Sequence, residues 1–327
     1  MKRPIGIDIS CQTLNYYLLN QAEQIENGIY QNTQTDILLF LNKYPADCFY
    51  LVIEPTGTYG DKLIELAHSQ GVEIRLANPK KSNKFMEVLD LMHKTDANAA
   101  MALCLMGQSK EIDLPRFIPQ SDLLKQRKQI QITLNGLYKQ HNMTSNRIHA
   151  MEQRLNPSAL SFSALVAIKN ALEEQIKLLE KELQQLSDEE IKEFNRYAQS
   201  VVGIGPKSSN LLMLYTNGLK YFEKKTQLSK FTGIVPTSHK SGTSINIRGR
   251  ITKNGPSLLR ACLYNAAKSA KKHNHACKAL YHRLRTNGKS HKVAMMAVIN
   301  KLLHQVFAVV KTKTLFDNDR YLNQFSN

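Results

Sequence analysis

The chain has 327 residues, 42% hydrophobic and 22% charged, which is the balance of a soluble protein with real cores and room for two domains and a connector. Its net charge of +17 is unevenly placed. From Arg196 onward 23 Lys and Arg face three acids, about +20, whereas the first 195 residues hold 21 against 24, about −3. A basic half beside a near-neutral one implies a polyanionic partner, and nucleic acid precedes an anionic membrane because neutralised phosphates release condensed counterions. No apolar run approaches the ~20 residues of a membrane span and no lipidation signature is present, so no membrane partner is expected. The five cysteines (Cys11, Cys48, Cys104, Cys262, Cys277) are odd in number and contain no C-x-x-C pair. That argues against a disulfide framework and a structural zinc site. Asp8 interrupts the start too early for a signal-peptide core, so a reducing, cytoplasmic location is expected.

Taken in chain order, 4–10 (PIGIDIS), 14–20 (LNYYLLN) and 25–31 (IENGIYQ) read as three strands of a meander. Residues 35–41 carry a helical pattern, and the continuous apolar run 49–53 (FYLVI) reads as a central strand buried on both faces. A helix over 60–69, a strand over 72–77 and a helical pair to about residue 106 complete an α/β unit. A meander followed by βαβ crossovers is the strand order of the ribonuclease-H-like fold. A doubly wound nucleotide-binding fold is second, since no G-x-G-x-x-G follows the first strand. From 121 to about 186 the pattern is helical and is broken once around Pro157, predicting a helical hairpin. Leu165, Ile168, Leu172, Ile176, Leu179, Leu183 and Leu186 form a narrow apolar seam flanked by Glu and Lys. Such a seam suits a coiled coil with a partner helix more than packing within its own domain.

Beyond Arg196, 201–212 (VVGIGPKSSNLL) has the apolar-Gly-apolar-Gly turn of a helix-hairpin-helix, whose Gly203, Gly205 and Lys207 could bring backbone N–H groups and a cation to a DNA phosphate. A Ser/Thr/Gly/Arg-rich segment follows over 237–254, then basic helices over 257–311.

Three carboxylates bear on chemistry. Asp8 lies within a predicted buried strand, where a charge is costly unless paired or bound to metal. Glu54 ends the second buried strand ahead of Pro55-Thr56-Gly57, at the strand edge where α/β sheets bind ligands. Asp96 opens a helix, where a simple N-cap is the plain alternative. Together they could hold Mg²⁺ through oxygen ligands and support in-line phosphoryl transfer.

GIDIS at Asp8, IEPTGTYG at Glu54, NPKKSNKF over 78–85, KTD over 94–96, VVGIGPKSS, FTGIVP at Phe231, Ser241-Gly242 and RITKNGPSLLRACLYNAA over 250–267 resemble, in order and over nearly the whole chain, the DEDD transposases of the insertion sequence 110 family, to which Piv-type pilin-gene invertases belong. The resemblance implies an N-terminal domain like the Holliday-junction resolvases over 1–118, a helical hairpin connector over 119–195, and a basic transposase domain over 196–327. It implies an Asp-Glu-Asp-Asp set binding Mg²⁺, with Asp8, Glu54 and Asp96 in the first three roles, and Ser241 as the nucleophile that forms a phosphoserine link to DNA. By the same resemblance the partners are donor and target DNA, a structured bridge RNA and further copies of the chain, as a dimer or tetramer, at a bacterial nucleoid. The fourth acidic role falls on Ala99, where the family pattern K-T-D-x-x-D-A has Asp. This reads as inactivation by substitution, with divergence of the lineage as the alternative. The hydroxyl-bearing neighbours Thr237, Ser238, Thr243 and Ser244 are separated from Ser241 by the resemblance alone. Arg248, Arg250, Lys253 and Arg260 would position phosphates or RNA. An RNA-guided transposase is therefore expected, with an invertase acting without RNA, or a non-catalytic DNA- or RNA-binding protein, as the alternatives.

Overall fold

In the computed structural model, which describes residues 2–20, 22–55, 57–91, 95–236, 239–241, 245–247 and 250–320, the three N-terminal runs become β1 (Arg3–Ile9), β2 (Thr13–Leu19) and β3 (Ile25–Gln31). They are joined by short turns and pair antiparallel, as a meander must. Helix α1 (Gln34–Lys43) is capped by Thr33, whose side chain accepts from the Asp36 amide. It leads to β4 (Phe49–Ile53), buried at every residue. After α2 (Asp61–Ser69) comes β5 (Glu73–Leu76), and β1, β4 and β5 run parallel. The sheet order is β3-β2-β1-β4-β5, the ribonuclease-H-like order. Two more helices, α3 (Pro79–Val88) and α4 (Asp96–Gln108), complete this unit, which ends at Pro119.

Strand periodicity assigns the two sheet faces. Ile5, Ile7 and Ile9 of β1, with Phe49, Leu51 and Ile53 of β4, share a core with Ile37, Phe40, Leu63 and Ala67 of α1 and α2. The alternate residues, Pro4, Gly6, Tyr50 and Val52, face α4. Tyr50 Oη donates to the Gly107 carbonyl at 2.7 Å, and a Cβ built on Gly107 would lie 2.5 Å from Pro4 and 2.9 Å from Val52. At Gly6 the approach is closer: a Cβ would fall 2.0 Å from the Ala100 carbonyl oxygen and 2.3 Å from the Cys104 amide nitrogen. Glycine at 6 is what lets the α4 backbone lie directly on β1. Cys104 is buried there and its thiol is pushed up to about 11 by desolvation, which makes it a packing group.

The second unit, Gln120–Asn327, is helical apart from one small ribbon among its described residues. Helices α5 (Asp122–Glu152) and α6 (Ala159–Gln185) form the hairpin expected around Pro157. The apolar seam of α6 packs first on α5 of the same chain, with Ile176 and Ile148 buried, so the seam by itself no longer requires a partner helix. Ile168 and Leu178 nonetheless stay about half exposed. Beyond the hairpin follow α7 (Glu189–Ser200), α8 (Pro206–Thr216), α9 (Lys225–Phe231), β6 (His239–Ser241), β7 (Ile245–Ile247), α10 (Ser257–His273), α11 (His275–Thr286) and α12 (His291–Thr312). Their core joins Phe194, Ala198, Leu211, Leu212, Leu228, Leu263 and Ala267 to Met295, Val298, Leu302 and Val306 of α12. The sequence reading finds no stretch long enough to span a membrane, and here it needs correction: α12, with 22 residues, is long and apolar enough. Lys292, Lys301 and His304 interrupt its apolar run, and its buried stripe lines this core.

Arg127 ties the base of the hairpin. It is 5% exposed, its guanidinium donates to the Leu183 carbonyl at 2.6 Å, and it also donates to the Leu186 carbonyl and the Asn210 Oδ1 of α8. Burial lowers its pKa, opposed only by the nearby Asp188 charge. Replacing one partner of such a buried network strands the others. Arg127→Met is expected to cost about 2–4 kcal/mol, and to lower the Tm of the helical unit by roughly 5–10 °C in a calorimetric scan. A Tm unchanged within a degree would show that the arginine is not the tie.

Candidate active site

The parallel pairing of β1 and β4 aligns Ile7 with Ile53. The next residues on each strand are Asp8 and Glu54, so these two carboxylates leave adjacent strand ends about 4.8 Å apart. Both follow the Gly6/Val52 parity and therefore lie on the face covered by α4. Asp8 is the penultimate residue of β1 and half-buried, not central and fully buried as its flanking isoleucines suggest. Glu54 is also half-buried, and its Oε1 accepts a hydrogen bond from Ser82 Oγ. Ser82, on α3, is 1% exposed. It escaped the residue-level reading, although it sits inside the NPKKSNKF motif. Asn78 caps that helix by accepting from the Lys80 amide, with Pro79 in its first turn, and this cap sets Ser82 opposite the end of β4.

Helix α4 runs antiparallel to β1: Gly107 lies over Pro4, and Ala100 with Cys104 over Gly6. Continuing toward its N-terminus, α4 runs from Ala100 back to Asp96 in the direction of the β1 end that carries Asp8. Asp96 is not the N-cap. Thr95 takes that role, its Oγ1 accepting from the Asn98 amide at 3.2 Å, which leaves Asp96 as an exposed first-turn residue. Ala99 is 8% exposed and packs with Met86 and Ala102. The register of β1 on β4 sets Asp8 and Glu54 at adjacent strand ends, while Asp96 opens the helix that packs on the same face and does not join them in a cluster. Among the described residues no group of three or more His, Cys, Asp or Glu side chains is gathered closely enough to hold a metal ion. Carboxylate oxygens at a strand edge fit a hard divalent cation in kind. Thr56, His93 and Lys94 of the flanking motifs lie outside the described residues.

In the basic unit, the residues 201–205 connect α7 to α8. Gly203, at φ +108°, is required twice over, since a Cβ would also meet Ala270 of α10 at 2.6 Å. Gly205 has ordinary φ and open space around it; it caps α8 without a side-chain hydrogen bond, and Pro206, which has no N–H, opens the helix. These residues, with Lys207, Ser208, Leu258, Cys262 and Asn265, line a cleft of about 580 Å³ between α8 and α10. Lys207 is exposed, with its ammonium 5.2 Å from the Tyr138 ring.

The ribbon β6–β7 stands on a fixed base. Gly233 (φ +68°) and Gly255 admit the backbones of 253–255 and 231–233 to one another, where a Cβ on Gly255 would lie 1.9 Å from the Phe231 carbonyl oxygen. The Lys253 amide donates to the Gly233 carbonyl at 3.0 Å, and Pro236 bridges to Ile251. Ser241 ends β6, paired with Ile245. Thr237, Ser238, Gly242, Thr243, Ser244 and Arg248 lie outside the described residues. Arg260 is half-buried and donates to the Gly255 and Thr232 carbonyls, so part of its guanidinium is spent on the ribbon base. Lys253 and Arg250 are exposed beside it.

A ribonuclease-H-like sheet with paired carboxylates at its strand ends, followed in one chain by a basic helical unit, defines a nuclease-type DNA-processing protein. Two family descriptions match this chain. Residues 5–157 match a DEDD-type transposase family of the IS110 group, and residues 195–282 match the transposase family IS116/IS110/IS902. The chain belongs to the IS110 family of DEDD transposases. It is 27% identical to a pilin gene-inverting protein of Moraxella bovis and 26% identical to that of Moraxella lacunata, each match covering 97% of this chain and 98% of the relative. A putative transposase of Sinorhizobium fredii is 23% identical over 81% of this chain and 72% of its own length. Among solved structures, Thermus thermophilus RuvC bound to a Holliday junction substrate matches 32% of this chain and 91% of its own, at 12% identity and a TM-score of 0.24.

Proposed function

We propose that this protein is a DNA transposase or recombinase whose nucleophile is Ser241 and whose metal-binding carboxylates are Asp8, Glu54 and Asp96. The observation that supports the reading is the register of β1 and β4, which aligns Ile7 with Ile53 and so leaves Asp8 and Glu54 next in line on adjacent strands. A divalent cation held there, Mg²⁺ by its oxygen donors, would neutralise charge on a phosphodiester. Ser82 holds Glu54 in place through its hydroxyl. The Ser241 hydroxyl oxygen forms a bond to phosphorus while the bond to the leaving nucleoside oxygen breaks. The hydroxyl proton balances the strand end released, and rejoining reverses the exchange. Ala99 leaves the carboxylate set one member short, so the chain binds its nucleic acids and cleaves them poorly.

In this reading the guide is a structured RNA pairing with donor and target DNA, and the active assembly contains more than one copy of the chain. A second reading, site-specific inversion without RNA, is favoured by the full-length match to the two pilin gene-inverting proteins. Sequencing the nucleic acid that copurifies with the protein separates the two: one enriched structured RNA supports guidance, and its absence from active protein supports inversion. Either reading requires polyanion binding. With about 20 excess positive charges after Arg196, log Kd for duplex DNA should rise against log salt with a slope of several units, because each phosphate contact contributes about 0.9. A slope near zero would sink both.

A further inference from the structure

The sequence between Glu223 and Asp317 contains no acid, and its cations are not spread evenly. Seven of them, Lys271, Lys272, Lys278, Arg283, Arg285, Lys289 and Lys292, fall between the end of α10 and the start of α12. Among the described residues none of the seven is in an ion pair. Helix α11 shows how they are presented. Cys277 is buried, Leu280, Tyr281 and Leu284 are half-buried, while Lys278, His282, Arg283 and Arg285 are exposed. Residues 278, 282 and 285 are spaced by four and three, so they line up on one outward face. The Tyr281 ring anchors the edge of that face: its centroid is 5.8 Å from those of His282 and His291 and 4.9 Å from the Lys271 ammonium, and its hydroxyl lies 2.8 Å from His291 Nδ1. Unpaired cations held at close spacing repel one another and are costly unless a polyanion neutralises them.

We propose that the outer face of α11, with the turn into α12, is a docking surface for the phosphate backbone of duplex DNA, separate from the α8–α10 cleft and from the ribbon that carries Ser241. Lys278 to Arg285 span about 10 Å along the helix, a length over which duplex DNA presents about six phosphate charges. The face has cations and one aromatic anchor but no Asn, Gln or Asp pointing outward from 278 to 285 to read base edges. Its role in the proposal is to contribute affinity and register through phosphate contacts. The proposal rests on the nucleic-acid reading above, and the test separates the two.

Full-length protein carrying Lys278→Gln, Arg283→Gln and Arg285→Gln together is titrated with a fluorescent DNA duplex and with an RNA hairpin over about 50–300 mM salt. A matched control carries Lys2→Gln, Lys62→Gln and Lys110→Gln, three exposed charges of the N-terminal unit. The α11 variant should lose about two to three units of salt slope and roughly tenfold or more in affinity at about 100 mM salt, while the control changes by less than about one unit. Loss on the duplex, with or without loss on the hairpin, supports the surface, and loss on the hairpin alone overturns it in favour of an RNA contact. An α11 variant indistinguishable from wild type on both, with wild type still binding steeply, overturns the surface and leaves the transposase reading intact. Wild type that binds neither overturns both. Coincident thermal unfolding of variant and wild type excludes misfolding, and Lys278→Arg with Arg283→Lys and Arg285→Lys should retain most of the slope.

Discussion

Ala99→Asp is expected to raise DNA strand transfer by roughly two orders of magnitude or more, and Ser241→Ala on that background to abolish it. The first effect rests on the proposed reading, in which position 99 supplies the fourth carboxylate beside Asp8, Glu54 and Asp96 and a completed divalent site stabilises transition-state charge by several kcal/mol. The same substitution should have a stability signature independent of activity. Position 99 packs with Met86 and Ala102, so an unliganded carboxylate there loses solvation and lowers the Tm of the N-terminal unit. Millimolar Mg²⁺ should recover that loss in the Asp variant, through preferential binding to the folded state, and should shift the native chain less. In the Asp variant, DNA should become linked to protein through a bond that survives denaturant and is lost with Ser241. Full activity in the native chain would make the fourth carboxylate dispensable. A covalent adduct that persists after Ser241→Ala would move the nucleophile to another hydroxyl.

Gly6→Ala should be the most damaging single methyl in the N-terminal unit. The added Cβ would lie 2.0 Å from the Ala100 carbonyl oxygen and 2.3 Å from the Cys104 amide nitrogen, both of them backbone atoms that cannot rotate away. The helix must lift by about an ångström or more, at a cost of roughly 3 kcal/mol or above. Because α4 also carries positions 96 and 99, any protein that still folds should bind metal and cleave DNA worse than its lost stability explains. Gly136→Ala is the counterexample: it sits within α5 with nothing inside 4 Å of the new Cβ, and should stabilise by about 0.5–1 kcal/mol through helix propensity. Denaturant melts of both variants give opposite signs if close approach, and not glycine flexibility, is what position 6 requires.

Much of this protein is legible before any coordinates, because its elements are encoded locally. The period-2 runs at 4–10, 14–20 and 25–31 and the apolar 49–53 become β1 to β4 within a residue or two. Pro157 does separate two long helices, and the charge imbalance after Arg196 belongs to composition alone. What the linear order could not supply is which residues meet. Asp8 and Glu54 are 46 positions apart, and only the parallel register of β1 on β4 makes them neighbours. That Asp96 is a first-turn residue capped by Thr95 depends on where α4 begins, a matter of one residue that helix periodicity does not resolve. Ser82 became part of the site only when α3 was laid beside the end of β4, since a lone serine in a helix carries no signal of its own. The seam of α6 shows the opposite case. Its spacing announces a partner helix, but spacing is blind to the identity of that partner, and chain connectivity supplies α5 at far higher effective concentration than any second copy. Local pattern determined the elements and the chemistry available to them; the sheet register and the contact of α4 on Gly6 decided which segments lie side by side, because those depend on backbone approach between segments far apart in the chain.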